Sequence, residues 1–342
     1  MPRVAVVFTG GTISMRHDPV AGGNIPVLGG EALLATAPGL ETIAELVAID
    51  RGLTPASHFS FEALFGIAAD VREQTADPAI DGVVVVQGTD TIEETAFFLD
   101  LLHSGTKPVV ITGAMRAAGT PDYDGPANLT AAVRVAASAE AAAVPGGLGA
   151  VVVLDGSIEA ADDVTKSHAS AFDTFRSLNR GSLGRVTGER VELARDRGPR
   201  RQVATSRAAE AVHLVVATVA TTGAPIGALH AAGADGFVVA ATGAGNTDPR
   251  LLAAAEAAIA DGLPVAITTR CPIGAANQAY AFPGGGATWV RAGAIPTGHL
   301  GGPKARIALA LGIGAGLDQD GLAAVLADPA PIHDPDRWWD SR

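Results

Sequence analysis

The sequence holds little cysteine, little aromatic character and almost no lysine. Cys271 stands alone among 342 residues, so no internal disulfide can form, and the chain reads as one from a reducing compartment or one indifferent to redox. Several signatures are missing outright. There is no Gly-x-x-x-x-Gly-Lys-Ser/Thr, no Gly-x-Gly-x-x-Gly after the first strand-like run, no Gly-x-Ser-x-Gly, no Cys-x-x-Cys and no His-Glu-x-x-His. Phosphate-loop, dinucleotide, serine-hydrolase and zinc readings lose their support accordingly, and neither metal nor cofactor is expected. The eight histidines are scattered singly.

Positive charge is also in deficit. Lys and Arg number 24 against 36 Asp and Glu, a formal charge of −12, and the pI is near 5.0. Such a chain repels phosphate backbones and anionic lipid, so neither nucleic acid nor a membrane surface is an expected partner. No apolar run reaches the roughly 18 residues of a membrane span, because Arg134, Glu140 and Glu256 interrupt the longest ones. Residues 4–8 already read as a buried strand, with no basic segment, apolar run and cleavage site ahead of them, so the cytoplasm is the expected location.

What remains is abundant small and aliphatic residues. Apolar residues make up 48% with only 4% aromatics, and 42 glycines accompany them, which describes a core of Ala, Val, Leu and Ile packed on Gly. The length suits two domains or one large α/β unit. Short apolar runs at 4–8, 82–87, 108–112 and 149–154 alternate with helical periods at 30–36, 61–75, 92–102 and 128–138. That alternation predicts a parallel sheet covered by helices on both faces. The pattern dissolves at Arg195-Asp196-Arg197-Gly198-Pro199-Arg200-Arg201, which reads as a charged linker. It then restarts on a smaller scale, with strands at 213–219, 236–241 and 265–268 and helices at 225–232, 250–259 and 304–311. The expected organisation is an N-terminal catalytic domain over 1–190, a linker over 191–212 and a C-terminal domain over 213–342, both domains doubly wound α/β. Trp338-Trp339 would pack the tail onto the body.

In open parallel sheets ligands collect beyond the carboxyl ends of the strands. Four such ends carry polar residues: Thr9-Gly10-Gly11-Thr12-Ile13, Gln87-Gly88-Thr89-Asp90-Thr91, Gly113-Ala114-Met115-Arg116 and Asp162-Asp163-Val164-Thr165-Lys166. Thr and Asp at such junctions also serve as helix N-caps, paired glycines also serve as plain turns, and a lysine also serves as surface charge. Lys166 nevertheless stands out, since the chain has only Lys107, Lys166 and Lys304. An amine can take a proton from a threonine hydroxyl, which a guanidinium cannot.

Together these four strand ends resemble the bacterial-type L-asparaginase family. The match extends through Glu93-Glu94-Thr95, Asp124-Gly125-Pro126 and Asn128-Leu129 to Gly245-Asn246 and Lys304-Ala305-Arg306, nearly the whole chain. The resemblance implies a larger flavodoxin-like N-terminal domain, a smaller C-terminal α/β domain, and hydrolysis of a side-chain amide to a carboxylate and ammonia through a threonine acyl-enzyme. Thr12 would be the nucleophile. Thr89, Asp90 and Lys166 would form a second group, Lys166 taking a proton through Thr89 and Asp90 holding the substrate's amino group. Gly11 and Gly88 would border the substrate, and backbone amides near Thr12 and Ala114 would receive the oxyanion. Asn246 would reach the site from a neighbouring subunit, which implies a homodimer or homotetramer whose only other partners are a small amide and water.

Three departures stand against that pattern. Many members carry an activating tyrosine in the N-terminal loop, where this chain has Asn24-Ile25-Pro26. Of its two tyrosines, Tyr123 and Tyr280, Tyr280 follows a Cys271-Pro272-Ile273-Gly274 string that resembles another branch, and the resemblance makes Tyr280 the partner of Thr12. The family's Ser-Gln pair that grips the substrate's α-carboxylate is replaced by Ala56-Ser57, and the glutamate that many periplasmic members direct at the amino group aligns near Ala281. The expected function is therefore L-asparagine hydrolysis. The alternatives are an amidase of the same mechanism acting on L-glutamine or another small amide, and a catalytically idle small-molecule binding module.

Overall fold

The computed structural model describes residues 1–329. They divide into two compact units, residues 1–177 with 181–200, and residues 178–180 with 201 onward. Trp338 and Trp339 lie outside the described residues.

The first unit is built on an eight-stranded sheet whose order across the sheet is Arg190–Leu193, Gly184–Thr187, Ser157–Ala160, Ala150–Leu154, Val109–Thr112, Gly82–Val86, Arg3–Phe8 and Glu45–Asp50. The last five of these strands run parallel. Three of them, Gly82–Val86, Val109–Thr112 and Ala150–Leu154, are buried at every residue, as strands covered on both faces must be. The sheet is not wholly parallel, as the alternation predicted, because the remaining three strands join by antiparallel ladders. The first of these ladders turns at Asp155-Gly156, where both residues have positive φ, 48° and 70°. That is the two-residue hairpin chemistry an Asp-Gly pair favours.

Numbered in chain order, the parallel strands lie 2-1-3-4-5, so the order reverses between Arg3–Phe8 and Gly82–Val86. Helices Phe61–Ala76, Ile92–Leu102 and Gly125–Ala137 cover the sheet. The helix expected from residue 128 begins at Gly125, because Pro126 supplies a φ suited to the first turn and lacks only an amide that would be unpaired there anyway.

The second unit carries a four-stranded parallel sheet, Val212–Val216, Gly236–Ala241, Val265–Thr269 and Ile295–Pro296. Helices Ala224–Ala231, Pro249–Ala260 and Gly302–Gly314 match the restarted pattern, and Gly286–Arg291 and Gln319–Leu326 are additional. Trp289 is fully buried in its core and donates its indole Nε1–H to Thr247 Oγ1 at 3.0 Å.

The expected linker is taken up by both units. Arg190–Leu193 is the edge strand of the first sheet, paired with Gly184–Thr187, and the boundary falls between Arg200 and Arg201. The arginines of the charged run are engaged with the fold, while Asp196 is exposed. Arg197, its side chain 1% exposed, donates to Asp100 at 2.9 Å and lies 3.1 Å from Asp162. Arg200 donates to Asp100 at 3.1 Å and to the His103 carbonyl at 3.0 Å. Arg201 is held within the second unit, donating to Asp328 and to the Ala327 carbonyl, each at 2.8 Å. No helix among the described residues is long and apolar enough to cross a membrane.

Candidate active site

The reversal in strand order marks where doubly wound folds open a crevice for ligands. Here it lies between strands whose last paired residues are Phe8 and Val86. The loops leaving those strands, with Thr12 on one and Thr89 and Asp90 on the other, are therefore neighbours. Thr9 ties them at the base, its amide and its hydroxyl both donating to the Val86 carbonyl at 3.0 Å.

Gly11 and Gly88 form the closest approach. A Cβ on Gly11 would lie 2.1 Å from the Gly88 nitrogen, and Gly11 sits at φ 95°, which L side chains rarely adopt. Gly88 in turn faces Ala56, whose carbonyl accepts from Thr91 Oγ1 at 3.1 Å. Beyond Gly11 the chain makes a short 3-10 turn at Thr12–Ser14, closed by Ser14, whose amide and hydroxyl donate to the Gly11 carbonyl at 2.9 and 2.7 Å.

Lys166, at the end of the strand Val164–Lys166, donates from Nζ to Thr89 Oγ1 at 2.9 Å and to Asp90 Oδ1 at 2.7 Å. A hydroxyl, a carboxylate and an amine brought together from 77 residues apart are thus in direct contact. Thr89 is buried, whereas 73% of the Asp90 side-chain surface stays open to solvent. Capping does not account for Thr89 or Thr91, since neither makes a side-chain cap hydrogen bond to the helix Ile92–Leu102.

The Gly113-Ala114-Met115-Arg116 and Asp124…Asn128 strings meet in one network. Asp124 accepts the Met115 amide at 3.0 Å and the Arg116 amide at 2.9 Å, while Asn128 Nδ2 donates to the Gly113 carbonyl at 3.0 Å and to Asp124 at 2.9 Å. Asn128 Oδ1 accepts from the Asp155 amide at 3.0 Å. One carboxylate and one amide thereby fix the turn carrying the buried Ala114. The neighbouring Tyr123 donates its hydroxyl to the Ile13 carbonyl at 2.7 Å. Burial raises its pKa to about 12, so it stays a donor throughout the neutral range. No sequence signal marked Tyr123, because its partner is 110 residues away.

The remaining expected residues are distributed as follows. Ser57 is exposed on a 3-10 turn at Ala56–His58, whereas Ala56 is buried. Asn24-Ile25-Pro26 lies in a short hairpin, Gly23–Pro26 paired with Met15–Asp18. Asn246 and Tyr280 belong to the second unit. Asn246 ends a tight turn in which its carbonyl accepts from the Thr242 amide and hydroxyl at 2.9 and 2.7 Å, and its buried Oδ1 has no hydrogen-bond partner there. Tyr280 is 46% exposed, its ring 5.7 Å from that of Phe282. Among the described residues, no group of three or more His, Cys, Asp or Glu side chains is arranged to hold a metal ion.

Two family models match the chain, "Asparaginase, N-terminal" over residues 3–198 and "Glutaminase/Asparaginase C-terminal domain" over residues 211–326. The chain belongs to the asparaginase family. It is 37% identical over 332 residues to a probable L-asparaginase of Deinococcus radiodurans, covering 95% of this chain and 97% of the relative. It is 31% identical over 323 residues to L-asparaginase 2 of Escherichia coli, with 92% and 89% covered. Among solved structures, a probable cytoplasmic L-asparaginase from Campylobacter jejuni superposes with a TM-score of 0.84 at 27% identity, covering 95% of this chain and 99% of that one. This asparaginase-family protein is accordingly a hydrolase of amide C–N bonds, on the two-domain α/β fold of the family.

Proposed function

We propose that the chain hydrolyses the side-chain amide of L-asparagine through an acyl-enzyme on Thr12. The observation that carries this reading is the Thr89–Lys166–Asp90 contact at the topological switch point, beside the loop that bears Thr12. Thr12 Oγ1 attacks the amide carbon, its proton passes to the leaving nitrogen, and the C–N bond breaks to release ammonia. Water then attacks the ester and passes a proton through the Thr89 hydroxyl to the unprotonated amine of Lys166; that proton returns to Thr12 Oγ1 as the ester C–O bond breaks, and the product acid gives its remaining proton to solvent as the carboxylate leaves. The exposed carboxylate of Asp90 receives the substrate's ammonium, and amides at Thr12 and Ala114 receive the oxyanion. Asn246 and Tyr280 are assigned to the same site, Asn246 from a second subunit. The likeness to a probable cytoplasmic L-asparaginase from Campylobacter jejuni supports a cytoplasmic location.

Ammonia release from L-asparagine tests the mechanism. Thr12→Ala and Thr89→Val should each lower turnover by orders of magnitude while the protein stays folded, since members of an acyl-transfer unit are costly to remove. Unchanged release by either variant removes that residue from the mechanism.

The buried methyl of Ala56 favours a second reading in which a different small amide is preferred, because Ala56 offers no side-chain donor to an α-carboxylate. Each missing charge-assisted hydrogen bond is worth about 1.5–3 kcal/mol, roughly ten- to a hundredfold in binding. Ala56→Ser with Ser57→Gln should lower KM for L-asparagine and leave unchanged that for an amide lacking the carboxylate. If KM is already micromolar in the parent and does not move, other groups hold the carboxylate.

A further inference from the structure

The geometry points to Tyr123 as a positioning residue: by donating to the Ile13 carbonyl while its neighbour Asp124 binds the amides of Met115 and Arg116, it makes one turn set the spacing between Thr12 and Ala114. This rests on the roles proposed above for those two residues.

The Thr12 turn needs such a tether. It follows two consecutive glycines at positive φ, 103° at Gly10 and 95° at Gly11, and glycine gives a chain its widest backbone freedom. The Gly88 backbone limits the turn on one side, and Tyr123 reaches the Ile13 carbonyl, directly after Thr12, at 2.7 Å. A second tether lies close by, the Ala118 amide donating to the Met15 carbonyl at 2.8 Å. Both tethers come from residues 117–123, which connect the Ala114 turn to the helix Gly125–Ala137.

The tyrosine is itself held. A Cβ at Gly125 would lie 2.4 Å from the ring and from its hydroxyl oxygen, so glycine at 125 is what lets the ring lie against the start of the helix. Asp124, between them, uses both carboxylate oxygens on the Ala114 turn and on Asn128. A hydroxyl and a carboxylate on adjacent residues therefore grip the two turns that must stand a fixed distance apart if one carries a nucleophile and the other an oxyanion donor. Misplacement by about 1 Å at a reacting centre costs on the order of a hundredfold in rate.

The test is Tyr123→Phe, which keeps the ring and removes only the hydroxyl, assayed for ammonia release from L-asparagine beside the parent and Thr12→Ala. The expected result is a kcat lower by roughly ten- to a hundredfold with KM unchanged, and faster amide hydrogen exchange in the peptide spanning residues 9–18. A kcat equal to the parent's overturns the proposal, and so does a KM that rises in proportion as kcat is kept. If Thr12→Ala retains full activity, the acyl-enzyme reading fails separately. Exchange then decides the tether alone: unchanged protection across residues 9–18 overturns it, and lost protection upholds it.

Discussion

At the scale of single residues the account depends on contacts that tolerate almost no change. Gly11 combines a positive φ with a backbone 2.1 Å from where its Cβ would stand, so Gly11→Ala must push the Thr12 and Thr89 loops apart. We expect ammonia release to fall at least a hundredfold while the far-ultraviolet circular dichroism is retained; wild-type activity in this variant would show that the approach of the two loops is unimportant. Thr12, Thr89 and Asp90 were candidates from the sequence because each stands just beyond an apolar strand, where ligands gather in this architecture, and Lys166 because the chain has only three lysines. The grip of Tyr123 and Asp124 was not legible. A hydroxyl bonding a carbonyl 110 residues away leaves no periodicity, and a tyrosine between two aspartates in a loop reads as turn chemistry.

At the scale of elements, the strands and helices read from the sequence were those with a strong period: fully buried valine runs such as Gly82–Val86, and helices such as Ile92–Leu102. The edge strand Glu45–Asp50, an apolar run Leu46–Ile49 between two acidic residues, and the small antiparallel strands were missed because segments this short carry too little period to read. The run at 195–201 was misread for a different reason: sequence displays charges without their partners. Arg197 bridges Asp100 on the helix that follows Thr89-Asp90 and Asp162 at the turn that leads to Lys166. Arg197→Ala would take one guanidinium from two buried carboxylates, Asp100 keeping Arg200, and should destabilise the fold by about 3–5 kcal/mol, read as a lower denaturant midpoint; a midpoint shift near zero would contradict the burial. His103, which ends that same helix and donates to the Lys107 carbonyl at 2.9 Å, is held below its ordinary pKa of 6.5, first by burial and further by the charge of Arg200. The unfolded chain therefore binds this proton first as pH falls. Its contribution to stability is complete above the unfolded value and is lost as pH drops from 6.5 toward the lower folded value. His103→Gln should weaken the stability loss between about pH 7.5 and 5.5, as followed by urea midpoints; identical slopes in both proteins would exclude His103 as a source.

At the scale of the whole molecule, the described residues of the second unit include the exposed large apolar side chains of Val216, Val219, Ile273, Tyr280 and Phe282. With Asn246 proposed to act from a second subunit, we expect light scattering to give a mass above the 34.3 kDa of one chain; a single-chain mass at micromolar protein would require a site complete within one chain. The chemistry itself is tested most directly by rapid quenching of the enzyme with saturating L-asparagine, followed by digestion and mass spectrometry of the peptides. The account predicts a transient adduct with the mass of asparagine less ammonia on the peptide containing Thr12, absent from Thr12→Ala. The same adduct on the peptide containing Thr89, or on any residue other than Thr12, would contradict it.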